Sequence, residues 1–267
     1  MDHVQASEFG GLVRRAFSLL FRNFPSLCGI YLLPTIPVGL WSGTFDESNE
    51  PVFWVSTAVD LFVEFIVTAA LTLAVSEICV GNRPAVLVTY GRLAEKAGRV
   101  TWTSILLVLI AMAGFAFVEF QTIDASREAP LIVTFVAAVC AITYLIATFT
   151  YLMFAVSATV LERVSGIEAL GRSIYLVREF FWRNLGVALV TLIPLVIAAA
   201  IFTAGEIALL GSDSLEERRS LASILIDELV YGITVVPSLI AVVLLYFDCR
   251  VRKEQFDREQ LALELAA

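Results

Sequence analysis

The stretch LLYFDCRVRKEQFDREQ, Leu244–Gln260, passes from an unbroken apolar run into alternating charge within a few residues. A helix that reaches Tyr246–Phe247 and then carries Arg250, Arg252 and Lys253 reads as a membrane span meeting the headgroup layer, because aromatic rings settle at that depth and cationic side chains reach past it to phosphate and water. On a continuous helix Asp248 stands one turn from Arg252, and Glu254 one turn from Arg258, so pairing at that spacing is expected to stiffen the exit. The remainder, EQFDREQLALELAA, is expected to continue as a helix beneath the membrane, with Phe256, Leu261 and Leu263 available for packing.

Outward from that junction the same pattern recurs. Of the 267 residues, 59% are apolar and 16% charged, and the mean hydropathy is +0.86. These values exclude an ordinary soluble domain. The apolar residues fall into six blocks, Phe24–Trp41, Trp54–Ile78, Val100–Phe120, Leu131–Val160, Asn184–Leu210 and Leu221–Phe247. Since about 20 helical residues cross a hydrocarbon core, each block predicts one span. The expected fold is therefore an all-α integral membrane protein, one membrane domain over 1–267, with six transmembrane helices and amphipathic interfacial helices. Pro34 and Pro37 in the first block leave two readings open, a packed kink or a broken, re-entrant helix. Arg14, Arg15 and Arg22 sit in an amphipathic leader without a cleavage site, so the first span is expected to be retained.

Charge assigns sides. Fifteen of the 18 lysines and arginines fall in segments that a six-span topology places on one side; only Arg127, Arg218 and Arg219 fall on the other. The positive-inside rule then puts both termini in the cytoplasm, with TFDESNEP, TIDASREAP and GSDSLEERRS as outer loops. Loops this short leave no room for a catalytic domain outside the membrane.

The basic segments also repeat. SEFGGLVRRAFSLLFRNF, RPAVLVTYGRLAEKAGRV and GIEALGRSIYLVREFFWRN each combine an apolar helical face with arginines, and each places a basic residue, Arg22, Arg99 or Arg183, just before the next span. The predicted unit is an interfacial helix followed by two spans, repeated over 6–80, 81–163 and 164–250, with 248–267 as a cytoplasmic C-terminal helix. Phe17, Leu20 and Phe21, or Ile174, Val177 and Phe181, are expected to face acyl chains. Arg172, Arg178, Arg183, Arg250, Arg252 and Lys253 are the candidate contacts for anionic lipid headgroups or a membrane partner. A homo-oligomer or another membrane subunit fits this pattern; nucleic acid does not.

Carboxylates within the spans are the other candidates. Glu64 lies near the middle of the second block with Asp60 one turn away, and a carboxylate at that depth should face the bundle interior or a polar cavity. A buried structural hydrogen bond, a path for a lipid, proton or cation, and a contact with another subunit all remain open for Glu64. Glu119, Glu206, Asp227 and Glu228 lie near outer span ends, as solvated termini or as an acidic vestibule. Thr143, Thr148, Thr150, Ser157 and Thr159 are read as packing residues that back-bond to helix carbonyls. His3 is the only histidine. Cys28, Cys79, Cys140 and Cys249 form no CxxC pair, and there is no phosphate-binding glycine loop or nucleophile elbow, so no metal, cofactor or catalytic residue is expected.

LLYFDCRVRKEQFD resembles the terminal motif of a prokaryotic multi-span family, the glycerophosphoryl diester phosphodiesterase membrane domain. GIEALGRSIYLVREFFWRN resembles its internal basic helix at Gly166, Ala169, Leu170, Arg172, Ser173, Leu176, Val177 and Trp182. Phe247 stands where the family has a frequent tyrosine, Cys249 where it has leucine, and Gln255 where it has glycine. The resemblance implies a membrane module in a prokaryotic cytoplasmic membrane, separate from the soluble barrel that performs phosphodiester hydrolysis in full-length relatives. The function expected from this sequence is a non-enzymatic scaffold or accessory subunit associated with lipid; a transporter or channel-like module for a small solute, ion or lipid, and an intramembrane lipid-modifying enzyme, are the alternatives.

Overall fold

The computed structural model describes residues 8–43, 50–125, 131–210 and 221–266. His3, Arg127, Arg218 and Arg219, the greater part of the three expected outer loops, and the side chain of Glu206 lie outside the described residues. Every described element is a helix. In chain order these are α1 (Phe9–Arg22), α2 (Phe24–Ser42), α3 (Glu50–Val80), α4 (Val86–Glu95), α5 (Ala97–Ala125), α6 (Leu131–Leu152), α7 (Ala155–Leu161), α8 (Ile167–Val177), α9 (Phe181–Leu210), α10 (Leu221–Glu254) and α11 (Arg258–Ala266). Six stretches are long and apolar enough to cross a membrane: Phe24–Ser42, Glu50–Val80, Ala97–Glu119, Phe135–Leu161, Phe181–Ile201 and Ile224–Glu254. The short helices α1, α4 and α8 each precede a pair of these. We call the end of the bundle that carries α1, α4, α8 and α11 proximal, and the opposite end distal.

The core belongs to the second span of each pair, near its proximal end. Val67–Ser76 of α3, all of α7 and nearly all of Val235–Arg250 in α10 are buried. The first spans α2, α5 and α9, and α6 in the fourth span, present more apolar surface outward, as helices facing lipid do. Hydroxyls of the fourth span bond locally: Thr143, which is exposed, and Thr150 and Thr159, which are buried, each donate to the carbonyl four residues back, at 2.7, 2.8 and 2.9 Å. Thr72 and Ser157 join α3 to α7 at 3.2 Å.

Leu20 and Val177, expected to face acyl chains, are buried in the core, and two elements also differ from the sequence reading, each for a physical reason. The fourth block is divided at Met153–Phe154 into α6 and α7. The break leaves the Phe154 N–H without a helical acceptor; it donates to Ser173 Oγ on α8 at 3.1 Å, while the Ser173 hydroxyl donates to the Tyr151 carbonyl at 2.7 Å. One serine thus satisfies both sides of the break. At the other position, α10 runs past Phe247 to Glu254 and then stops, instead of continuing as one helix. Gln255 adopts φ +55°, and the Asp257 carboxylate accepts from the Gln260 N–H at 2.9 Å, which caps the start of α11. The expected Glu254–Arg258 pairing is lost with helical register; Arg258 instead donates to the Val80 carbonyl at the end of α3.

The prolines of α2 kink a helix that stays continuous. Pro34 has no N–H, so the Ile30 carbonyl loses its helical donor. The Tyr90 hydroxyl of α4 supplies a replacement at 2.7 Å, and burial pushes that phenol's pKa up. The proline therefore docks an interfacial helix onto the first span.

Candidate functional site

Two polar sites occupy opposite ends of the bundle. The distal one is a cavity of about 440 Å³ lined by Tyr31, Thr35, Val38 and Gly39 of α2, Thr57, Asp60, Leu61, Val63 and Glu64 of α3, Phe115 of α5, and Asp227, Glu228 and Tyr231 of α10. It adjoins a second hollow of about 280 Å³ that shares Gly39, Thr57, Asp60, Asp227 and Glu228 and reaches Ser42, Gly43 and Ser56. From Ser56 to Glu64 the cavity follows α3 for about 12 Å at the helical rise. It therefore descends from the distal end to the middle of the helix. Among the described residues no lysine or arginine lines either part.

Its shape follows from close helix packing. A Cβ at Gly39 would collide with the Glu228 carboxylate, so only glycine lets α10 set that side chain against α2. A Cβ at Gly232 would come within 2.9 Å of Tyr31 Cδ1 and Leu32 Cδ2, and glycine here seats α10 on the Tyr31 turn. Tyr31 is itself buried. Its hydroxyl donates to Glu64 Oε2 at 3.0 Å, and its ring lies 6.3 Å from that of Tyr231. The predicted pair Asp60 and Glu64 thus does line a polar cavity, and Asp227 and Glu228 join it from the last span. Glu119 does not line it. Among the described residues no three of the His, Cys, Asp and Glu side chains converge to hold a metal ion. The cavity offers four carboxyl groups and the rings of Phe115, Tyr31 and Tyr231, a lining suited to a cation with spread charge and apolar surface.

The proximal site is an ionic network that ties α7, α8, α10 and α11 together. Arg250, only 7% exposed, gives both terminal nitrogens to Glu264, NH1 to Oε2 at 2.9 Å and NH2 to Oε1 at 2.8 Å. Its Nε lies 3.3 Å from Glu254 and 3.7 Å from Glu162, and its guanidinium stands 3.7 Å from the centre of the Phe256 ring. Arg172 bridges Glu162 at 2.6 Å and Glu254 at 2.5 Å. Burial alone would lower the pKa of Arg172, but the hydrogen bonds from these two carboxylates outweigh it and raise it. The Tyr246 hydroxyl closes the ring on Glu162 at 2.5 Å. Nearby, Lys96 donates to the Val160 carbonyl at 2.9 Å; desolvation, with Arg99 and Arg163 beside it, pulls its pKa down.

The remaining candidate cations lie next to this network. Asp248, buried, receives Arg183 at 2.6 Å and, in the pairing expected from spacing, Arg252 at 2.8 Å. Lys253 reaches Glu179 at 3.0 Å and the Tyr175 carbonyl at 2.5 Å. Arg178 is exposed and lies 4.0 Å from Glu179. Five of the six cations proposed for headgroups or partners therefore make short internal ion pairs, and a headgroup would compete there with a protein carboxylate. Glu162 and Glu264, which organise the network, were not singled out from sequence. A signal existed for Glu162: like Glu77, which pairs with Arg92, it ends a second span, and each partner follows a glycine, in Gly91–Arg92 and Gly171–Arg172.

No family model matches this chain, and neither a curated protein nor a solved structure matches it. Its sequence and architecture are those of an all-α, multi-span membrane protein with six candidate transmembrane helices.

Proposed function

We propose that the protein binds a small organic cation in the distal cavity, as a transporter or uptake module. The observation that carries this reading is a cavity that reaches Glu64, at the middle of α3, past Asp60, Asp227 and Glu228 and two tyrosines, with no basic residue in its lining among the described residues. Carboxylates at that depth are costly unless a cavity or a counter-charge meets them, and a bound amine or quaternary ammonium supplies the counter-charge. Tyr31 and Tyr231 add the aromatic faces that such cations favour. The closed proximal core makes this a state open at one end, and release to the other side requires α10 to move against α2 and α3.

In the same reading both termini face the cytoplasm of a prokaryotic cell and the cavity opens outward. Family membership in the glycerophosphoryl diester phosphodiesterase membrane domain belongs to this proposal too. It is supported by the residue that departs from the motif: Gln255 stands at the family's glycine, and its backbone adopts a left-handed conformation that glycine takes without strain. A second reading, an accessory or scaffold subunit, is favoured by the proximal network, whose charges are met largely within the chain.

The test uses tetraethylammonium as a probe with the full-length protein in lipid nanodiscs. Binding by the wild type, lost in Glu64→Gln with unchanged thermal stability, supports a cation site. Equal binding by both proteins, or none by the wild type, removes it and leaves the scaffold reading.

A further inference from the structure

The basic rim divides unevenly between the repeats. In the third repeat and just after it, Arg172, Arg183, Arg250, Arg252 and Lys253 are held by Glu162, Glu254, Glu264, Asp248 and Glu179. Arg14 and Arg22 of the first repeat and Arg83, at the start of the second, are exposed, and none of them makes an ion pair among the described residues.

These arginines border exposed apolar side chains. In α1, Leu12, Ala16, Leu19 and Leu20 pack inward, so Leu20, expected to face acyl chains, belongs to the core. The opposite stripe carries Arg14, Ser18, Phe21 and Arg22 on one helical face. Phe21 is 72% exposed and lies about two turns after Arg14 and next to Arg22 along α1. Arg22 lies two residues before α2 begins at Phe24, which fixes its height at the mouth of a span. The start of α4 reaches the same edge: a Cβ at Gly29 of α2 would lie 3.2 Å from Val86 Cγ2. Arg83 precedes Val86 by one turn's length of chain, and Leu87, beside it, is 78% exposed.

We propose that this rim, from the α1–α2 junction to the start of α4 on the same span, binds the headgroup of an acidic phospholipid. Arg22 and Arg83 hold the phosphate, Arg14 extends the charge along α1, and Phe21 and Leu87 lie against the acyl chains. The occupant follows from charge and position together. Guanidiniums form paired hydrogen bonds to phosphate, apolar residues beside them at the mouth of a span meet acyl chains, and a phosphodiester with acyl chains supplies both. The cavity reading and this one are independent, because they use opposite ends of the bundle.

The experiment is native mass spectrometry of the full-length protein, delipidated in neutral detergent and titrated with phosphatidylglycerol or with phosphatidylcholine of the same chains. The wild type should take up phosphatidylglycerol in preference. Each of Arg22→Gln and Arg83→Gln should weaken it about fivefold, and the two together about 25-fold, from the contribution of one basic residue near anionic lipid. Phosphatidylcholine uptake should not change, and Arg178→Gln should behave as wild type. Should the double variant fail to fold, the single variants carry the same comparison. Equal phosphatidylglycerol binding by wild type and the arginine variants overturns the site. So does equal uptake of both lipids, or a stoichiometric protein that co-purifies with wild type and is lost in the double variant.

Discussion

Replacing Arg250 with methionine should release α11 while leaving the core spans in place. The substitution keeps much of the side chain's volume but removes the cation from among Glu264, Glu254 and Glu162, at 2.8, 3.3 and 3.7 Å. Breaking a buried ion pair from one side costs about 3–5 kcal/mol. Here the lower end applies, because the three carboxylates retain 14–25% of their side-chain exposure and can recover water. Loss of the guanidinium over Phe256, at 3.7 Å, removes a further contact of about 0.5–1 kcal/mol. What remains on α11 is Leu261, fully buried, the Arg258–Val80 hydrogen bond, and the Phe247–Phe256 stack at 6.2 Å just before it. Together the two losses exceed about 3 kcal/mol, which multiplies the opening equilibrium by at least roughly a hundred. In hydrogen exchange read by mass spectrometry, the amides of Arg258–Ala266 should exchange at least about a hundredfold faster, while those of Val67–Ser76 stay as protected as in wild type. Protection of α11 within about threefold of wild type would refute the claim that Arg250 holds the C-terminal helix.

Gln255→Gly should raise the melting temperature, since a non-glycine residue at φ +55° carries a backbone cost of about 1 kcal/mol; a lower melting temperature contradicts the left-handed turn. Ser173→Ala should destabilise by about 1–3 kcal/mol in denaturant titration, because the buried Phe154 N–H loses its acceptor at the α6–α7 break. Ser173→Thr, which keeps the hydroxyl, should recover much of that loss, and equal defects in the two variants would show that the hydroxyl is not the cause.

Much of this fold was legible in residue order. The six apolar blocks announced the spans, and the amphipathic segments that begin near Phe9, Val86 and Ile167 announced the three short helices that precede them. The reversal after α10 was legible too and was passed over: Asp257 followed three residues later by Gln260 is the pattern of a helix start. The α6–α7 break was not legible, because its stabiliser, Ser173, comes from another helix. Asp60 and Glu64 could be picked out because one helical turn separates two carboxylates within an apolar run. Their meeting with Asp227 and Glu228 depends on α10 packing against α2 and α3, and the local sequence records it only as Gly39 and Gly232. Glu264 gave still less sign, since its partner Arg250 lies beyond a chain reversal.

The account rests on a cavity that carries negative charge and opens at the distal end, and cysteine accessibility reads both properties at once. Thr57→Cys and Val38→Cys line that cavity, and would be placed in a protein whose Cys28, Cys79, Cys140 and Cys249 are replaced. In sealed vesicles, membrane-impermeant thiosulfonates of opposite charge would be added from either side. The account predicts labelling from the side opposite the C-terminus, with the cationic reagent faster by about tenfold through electrostatic focusing, and that preference reduced by Asp60→Asn. No labelling, equal rates for the two charges, or labelling from the side of the C-terminus would contradict it.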